Sequence, residues 1–346
     1  MIVFFDGHRG LCVLQHILGH PDFHVIAVVT PVSFDTSLLT APKASSNFAH
    51  LRLDNVNSPS SVELLRTYCP DVFLIAGFRS IFDAQLLLLP GLGTLNLHAG
   101  RLPQYRGGSP LNWQLINGEV FAGLTVIRVD AGIDTGPIMA ETNFPIGAGD
   151  TIAHLHKKAN ELFPALAVVA LAKLLTKYSH GQQQSETGAQ YWHQRTDADG
   201  HLDFARMTAV EVDRVVRAIT RPYNGAFALS NNTKVRLYTT EIPPFCLRGV
   251  SGRVCWISRR GPYIVCSDKA VLVTEYRAED QPDFKLTHGQ QLELDIMAPK
   301  GMRLHSYYLT SQLHRYLFMP PTNKGAGNGC ANRPARDSDT NSREIG

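Results

Sequence analysis

Residues 72–98 read VFLIAGFRSIFDAQLLLLPGLGTLNLH, and their order of apolar run, short helical pattern and second apolar run decides the fold. Val72–Phe78 is apolar without alternation, as a strand buried on both faces is. Phe82–Leu89 reads as a short helix stopped by Pro90, and Gly93–His98 as the next strand. The same rhythm runs back toward the N-terminus. Ile2–Phe5 is a strand ending at Asp6-Gly7, Leu11–Leu18 has helical spacing, His24–Thr30 (HVIAVVT) is a second buried strand, and Val62–Tyr68 is helical. Alternation of this kind predicts an α/β fold with a doubly wound, mostly parallel sheet. Gly123–Asp130 and Ile138–Phe144 alternate better and are expected as late, more exposed strands. No G-x-G-x-x-G follows the first strand, where Asp6, Gly7, His8, Arg9 and Gly10 stand, so a nicotinamide cofactor on the usual fingerprint is unsupported.

Toward the C-terminus the character changes. Thr151 opens a long helical pattern through Tyr178, expected to kink or restart near Pro164. His180–Glu186 (HGQQQSE) is polar and reads as the start of a linker. Ala209–Thr220 is helical, and short apolar runs separated by turns follow it, which suggests a small β-barrel. The boundaries expected are a first domain over 1–190, a linker over 191–205, a barrel domain over 206–300, and an extension over 301–346 that is disordered from about Pro320.

The 346 residues carry 33 Lys and Arg against 30 Asp and Glu, a formal charge of +3. That is too weak to announce a nucleic-acid partner, which concentrated Lys and Arg usually do. The six cysteines, at 12, 69, 246, 255, 266 and 330, form no CxxC pair, and no Cys/His cluster has zinc-finger spacing, so neither a metal nor a disulfide framework is expected. The start MIVFFDGHRG lacks the pattern of a signal peptide. The apolar stretch Leu162–Leu175 is too short for a bilayer and is interrupted by Pro164 and Lys173. A soluble, cytoplasmic protein without membrane contact is the expectation.

The chemistry concentrates in Leu95–Pro110 (LNLHAGRLPQYRGGSP) and in Gly132–Gly136 (GIDTG). Asn96 and His98, two apart on a strand, project from one face at the strand's carboxyl end, where open α/β sheets place their ligands. Asp134 sits between two glycines in a tight loop. Taken singly, Asn96 and Asp134 read as turn residues, and His98 equally as a satisfied buried histidine. Together an amide, an imidazole and a carboxylate suit acyl transfer to an amine. A donor stabilises the carbonyl oxygen as it gains charge, a base takes the amine's proton, and a carboxylate orients and tunes that base.

Asn96-Leu97-His98, Leu102-Pro103 and Tyr105-Arg106-Gly107, followed by Gly132-Ile133-Asp134-Thr135-Gly136, resemble the 10-formyltetrahydrofolate-dependent formyltransferases. The likeness makes residues 1–190 the catalytic domain, with the family's Rossmann-like sheet. A weaker likeness runs through Val216-Arg217-Ala218-Ile219 and Pro222–Phe227 into an OB-like barrel. The resemblance implies an enzyme with 10-formyltetrahydrofolate as co-substrate and with Asn96, His98 and Asp134 as the catalytic trio. It also implies a pterin cleft formed by Phe78 and Ile81, by Leu102, and by Val129, Asp130 and Ile133. For Phe78 and Leu102, plain core packing is the competing reading.

Two acceptors follow from the resemblance. Methionyl-tRNA formyltransferases carry a basic loop after the second strand, whereas Pro31–Asn47 here holds only Lys43 against Asp35, a poor grip on a phosphate backbone. The run Arg106–Trp113 looks like the sugar-nucleotide branch. The expectation is therefore a nucleotide-linked amino sugar as small-molecule acceptor, with Tyr105 and Arg106 as substrate-binding residues, nucleic acid unlikely, and methionyl-tRNA as the alternative. Arg106 reads equally as a partner for the diphosphate or an ordinary surface arginine. The barrel's role, contact with acceptor or homodimerisation, stays open.

Overall fold

The computed structural model describes residues 1–39, 47–176, 180–231 and 233–292. Strands β1 (Ile2–Phe5), β2 (Ala27–Thr30), β3 (Ala49–Arg52), β4 (Val72–Ala76) and β5 (Gly93–His98) pair in parallel. Beyond the two-residue β6 (Arg106–Gly107), β7 (Phe121–Arg128) adds antiparallel to β5, and β8 (Ile138–Pro145) adds antiparallel to β7. The order is β3-β2-β1-β4-β5-β7-β8. The chain builds outward from β1 in one direction and then crosses to β4 and β5 in the other, which is the arrangement of a doubly wound sheet.

Both faces of β1 are buried, and its side chains divide between two cores. Val3 and Phe5 join one, while Ile2 and Phe4 join the other. This period-2 division explains the lack of alternation in the apolar runs. On the second face Phe4 meets Phe73 and Phe82 edge-on, with ring centroids 4.9 and 4.8 Å apart. Each such buried ring contributes about 1.5–3 kcal/mol. Between sheet strands lie α1 (His8–Leu18), α2 (Pro59–Thr67), α3 (Ala84–Leu87), α4 (Pro110–Ile116) and α5 (Ile152–Leu175).

Three expectations are corrected by the elements. The second strand is shorter, Ala27–Thr30, because His24, Val25 and Ile26 approach β1 as a loop. Helix α5 runs through Pro164 without restarting. The backbone bond that Pro164 cannot make is offset by burial of Leu155, Ala159, Phe163, Leu166, Ala167 and Leu171 in the core. Residues 177–179, the end of the expected helix, lie outside the described residues. His180–Glu186 is not a free tether, since Gln182 exchanges both backbone bonds with Ile138.

After β9 (Tyr191–Trp192), helix α6 (Ala209–Ile219) is closed at its N-terminus by a capping box in which Thr208 and Glu211 bond reciprocally. Five antiparallel strands follow: β10 (Ala226–Ser230), β11 (Thr233–Glu241), β12 (Val254–Ser258), β13 (Gly261–Val265) and β14 (Ala270–Ala278), in the order β10-β11-β14-β13-β12. They form the small antiparallel domain expected after the parallel sheet. Helix α6 docks on α4, where buried Asn112 donates from Nδ2 to the Ala218 carbonyl at 2.7 Å. The extension expected to be disordered, with Cys330, lies outside the described residues. Among the described residues no helix is long and apolar enough to cross a membrane.

Candidate active site

Strand β5 sets Asn96 against Ile127 and His98 against Thr125 of β7. Its carboxyl end runs directly into the loop 99–109. His98 is buried, and its Nε2 lies 2.5 Å from the Tyr105 carbonyl oxygen. Room for that ring exists because residue 100 is glycine. A Cβ there would lie 2.7 Å from His98 Nε2 and 2.9 Å from the Tyr105 oxygen.

Asp134 reaches the same place from the loop after β7. Its backbone is left-handed, with φ 51°, a conformation Asp tolerates better than most residues. Gly136 lets that loop close, since a Cβ there would lie 1.8 Å from the Arg128 carbonyl oxygen. Asp134 Oδ2 stands 3.4 Å from His98 Nδ1 and accepts from the Gly107 amide at 2.9 Å. Asn96 Nδ2 is 3.5 Å from Asp134 Oδ1. Amide, imidazole and carboxylate from two distant segments therefore meet within hydrogen-bond reach. Both ring nitrogens of His98 face acceptors, and a neutral imidazole has one N–H. The tautomer decides which acceptor is served: Nε2–H donates to the Tyr105 carbonyl, and Nδ1–H donates to the Asp134 carboxylate.

The residues expected around a pterin are dispersed in environment. Phe78 is half-buried against Phe4 and Phe82, and Ile81 is 47% exposed. Leu102 is buried with Ile127 and Ile138. The Val129 amide donates to the Thr94 carbonyl at 2.8 Å. The Asp130 carboxylate turns inward to the Gly132 amide (3.0 Å) and the Thr135 hydroxyl (2.6 Å). Ile133 is half-buried beside Asp134.

Arg106 and Tyr105 sit otherwise than an open substrate site requires. The Arg106 side chain is wholly buried. It makes a two-pronged ion pair with Glu186, both contacts at 3.0 Å, and donates to the Tyr191 hydroxyl (2.8 Å) and Gln184 Oε1 (3.1 Å). A guanidinium so occupied is not free for a diphosphate. Tyr105 is buried, stacked on Trp192, and its hydroxyl donates to Glu119 at 2.7 Å. Burial and Glu119 push that phenol up to about 12. Both residues shape the loop that carries the His98 contact.

Gln184 carries no motif, and the sequence offered no signal for it. Its amide Nε2 donates to the carbonyls of both Asp134 and Gly136, each at 2.7 Å. Arg106, on the other side, fixes the orientation of that amide. The polar stretch 180–186 is thereby a strut under the Asp134 loop.

Comparison with known proteins places this geometry. The formyl transferase family model matches residues 24–171, and the model of the formyl transferase C-terminal domain matches 195–287. A methionyl-tRNA formyltransferase of Geobacter sulfurreducens is 31% identical over 84% of this chain and 94% of its own length. A second of that name, from Citrifermentans bemidjiense, is 30% identical over 87% and 95%. Among solved structures, the Helicobacter canadensis N-formyltransferase complexed with folinic acid and dTDP-3-aminofucose has a TM-score of 0.61. It shares 17% identity across 80% of this chain and 98% of that one. HypX of Aquifex aeolicus in complex with tetrahydrofolic acid has a TM-score of 0.55 at 20% identity over 81% of this chain. The chain spans under half of HypX, 44% of its length. Identities this low speak for the fold alone. The two relatives at 30% and above overturn the expectation of an amino-sugar acceptor and of nucleic acid as an unlikely partner. Matched across both its parallel and its antiparallel parts, and catalysing transfer of a formyl group, the chain belongs to the formyl transferase family.

Proposed function

We propose that this enzyme moves the formyl group of 10-formyltetrahydrofolate to the amino group of methionyl-tRNA. The observation that carries the acceptor is the 31% identity to a methionyl-tRNA formyltransferase over 94% of that relative's length. The sparse cations of Pro31–Asn47 had argued the other way. One loop is a weak guide to a nucleic-acid surface, which draws Lys and Arg from segments far apart in sequence. Residues 40–46 of that loop lie outside the described residues.

The geometry of the trio supports the following roles. When bound, the folate supplies an activated formyl group, held by Phe78, Ile81, Leu102, Val129, Asp130 and Ile133. The Asn96 amide donates to the carbonyl oxygen as it gains negative charge, a contribution worth about 3–4 kcal/mol for one such donor elsewhere. His98 Nε2 exchanges the Tyr105 carbonyl for the reacting group and carries a proton to or from it. Asp134, fixed by the Gly107 amide and by Gln184 behind its backbone, faces Nδ1 and stabilises the charged ring.

The purified protein is expected to formylate methionyl-tRNA with 10-formyltetrahydrofolate, read as acid-precipitable formyl label. His98→Ala should lower kcat by about 10²–10⁴-fold. Transfer to amino-sugar nucleotides with none to methionyl-tRNA would overturn the acceptor.

A further inference from the structure

Arg9 on α1, His156 and Asn160 on α5, Arg195 after β9 and Tyr223 before β10 come together from four segments, and none takes part in the chemistry above. Arg9 is half-buried. Its Nε donates to Asn160 Oδ1 at 3.4 Å, its Nη2 lies 3.4 Å from His156 Nδ1, and its guanidinium carbon sits 5.2 Å from the centre of the Phe163 ring. Among the described residues no carboxylate lies within 4 Å of it, and burial pushes the guanidinium down to about 10. His156 continues the chain of contacts, with Nε2 3.0 Å from the Tyr223 hydroxyl. Burial and the adjacent Arg9 push the imidazole down to about 4. It is therefore neutral near pH 7, with Nδ1 accepting from Arg9 and Nε2–H donating to Tyr223. Over the Tyr223 ring, at 5.6 Å from its centre, stands the Arg195 guanidinium. Nη1 of Arg195 donates to the Thr196 carbonyl at 3.2 Å, and its buried Nε has no hydrogen-bond partner.

Contrast with the chain's other enclosed arginines is informative. Arg106 pairs with Glu186, Arg217 with Asp213, and Arg236 with Asp197 and Glu279. Arg9 has only neutral acceptors, although withdrawing a cation from water without a counter-charge is costly; Arg195 makes one hydrogen bond, to a carbonyl, and has Asp199 and Asp197 only as longer-range counter-charges. Such a cost persists where a ligand supplies the missing charge. The location agrees. The Arg195 amide and Gln194 Nε2 both bond Ser109 Oγ, at 3.1 and 2.9 Å. Ser109 ends the loop that holds His98, so the backbone of Arg195 is tied to the catalytic loop, and Arg9 connects to it through His156 and Tyr223.

We propose that Arg9 and Arg195, linked through His156 and Tyr223, form a phosphate-binding site beside the catalytic loop, which takes a phosphodiester of the acceptor next to its aminoacyl end. The source of the phosphate rests on the methionyl-tRNA reading; the anion site itself does not.

The test uses the full chain, the double variant R9Q/R195Q and the double variant R9K/R195K, each checked by its thermal midpoint. Inorganic pyrophosphate is titrated calorimetrically, and KM for methionyl-tRNA is measured against salt. The Gln variant should bind pyrophosphate at least tenfold more weakly and raise the KM for methionyl-tRNA about tenfold. The slope of log KM against log salt should flatten by about 0.7–0.9 per lost contact. The Lys variant should recover most of the slope, because it keeps the charges, which a merely structural role for the guanidinium forks would not do. If the wild type transfers nothing to methionyl-tRNA yet binds pyrophosphate through these arginines, the site stands and the acceptor reading falls. Indistinguishable pyrophosphate binding and salt slope in wild type and the Gln variant overturn the proposal.

Discussion

Asp134 gathers three constraints in one residue. Its backbone is left-handed at φ 51°, its Oδ2 faces His98 at 3.4 Å, and the same oxygen accepts from the Gly107 amide. Asparagine is nearly the same size and tolerates the same backbone, so Asp134→Asn separates charge from shape. The amide oxygen can still accept from the imidazole, but it carries no charge to stabilise the ring once it takes up a proton. We expect Asp134→Asn to keep the thermal midpoint within a few degrees while kcat falls about 10²–10³-fold, within the range for loss of acid–base function. A variant that keeps wild-type kcat would remove Asp134 from the chemistry.

At the scale of elements, the segment 180–192 matters most. Its strut joins three parts: Arg106 from the catalytic loop, Gln184 from the segment itself, and the backbone of the Asp134 turn. Glu186 is held below the usual carboxylate range, first by its hydrogen bonds from Arg106. Gln184→Ala removes two 2.7 Å bonds from the turn without touching substrate. It should lower kcat roughly tenfold or more through misplacement of Asp134, while the KM for folate shifts less; steady-state kinetics on both substrates reads the split. Gln184→Glu should not rescue it, because a carboxylate cannot donate to the two carbonyls. How far this was legible depends on the kind of signal. The strands expected over Val72–Phe78 and Gly93–His98 are legible from apolar runs and are observed as Val72–Ala76 and Gly93–His98, and the resemblance and the spacing together single out Asn96, His98 and Asp134, which the fold brings within reach of one another. Gln184 and Glu186 are not legible, because a polar run such as QQQSE has the same composition in a tether as in a strut. Only the long-range pairing with Arg106, 80 positions away, tells them apart. Arg106, open in the sequence between a diphosphate partner and a surface arginine, shows the same limit: its pairing with Glu186 is invisible until the chain folds.

For the whole molecule, the question is what joins the parallel sheet to the antiparallel one. Arg217 of α6 donates to the Asp150 carbonyl at 2.7 Å, just ahead of α5, and Asn112 of α4 donates back to α6. His156 of α5 reaches Tyr223, at the entry to β10. That last link titrates. The imidazole is pushed from an ordinary value of 6.5 to about 4 by burial and then by Arg9; Asn160 and Tyr223 are the other polar groups beside it. Between those values the unfolded chain binds a proton at His156 that the folded chain refuses. This contribution to stability is complete above about pH 6.5, falls as the pH drops toward 4, and levels off below. His156→Gln has no such proton to take up. The wild type should therefore lose more thermal stability than His156→Gln between pH 7 and pH 4.5, and the gap between their midpoints should narrow steadily across that interval. Parallel curves over the same range would mean that His156 is as exposed to protonation in the folded protein as in the unfolded chain. The contact between α5 and the entry to β10 would then be too loose to join the two sheets.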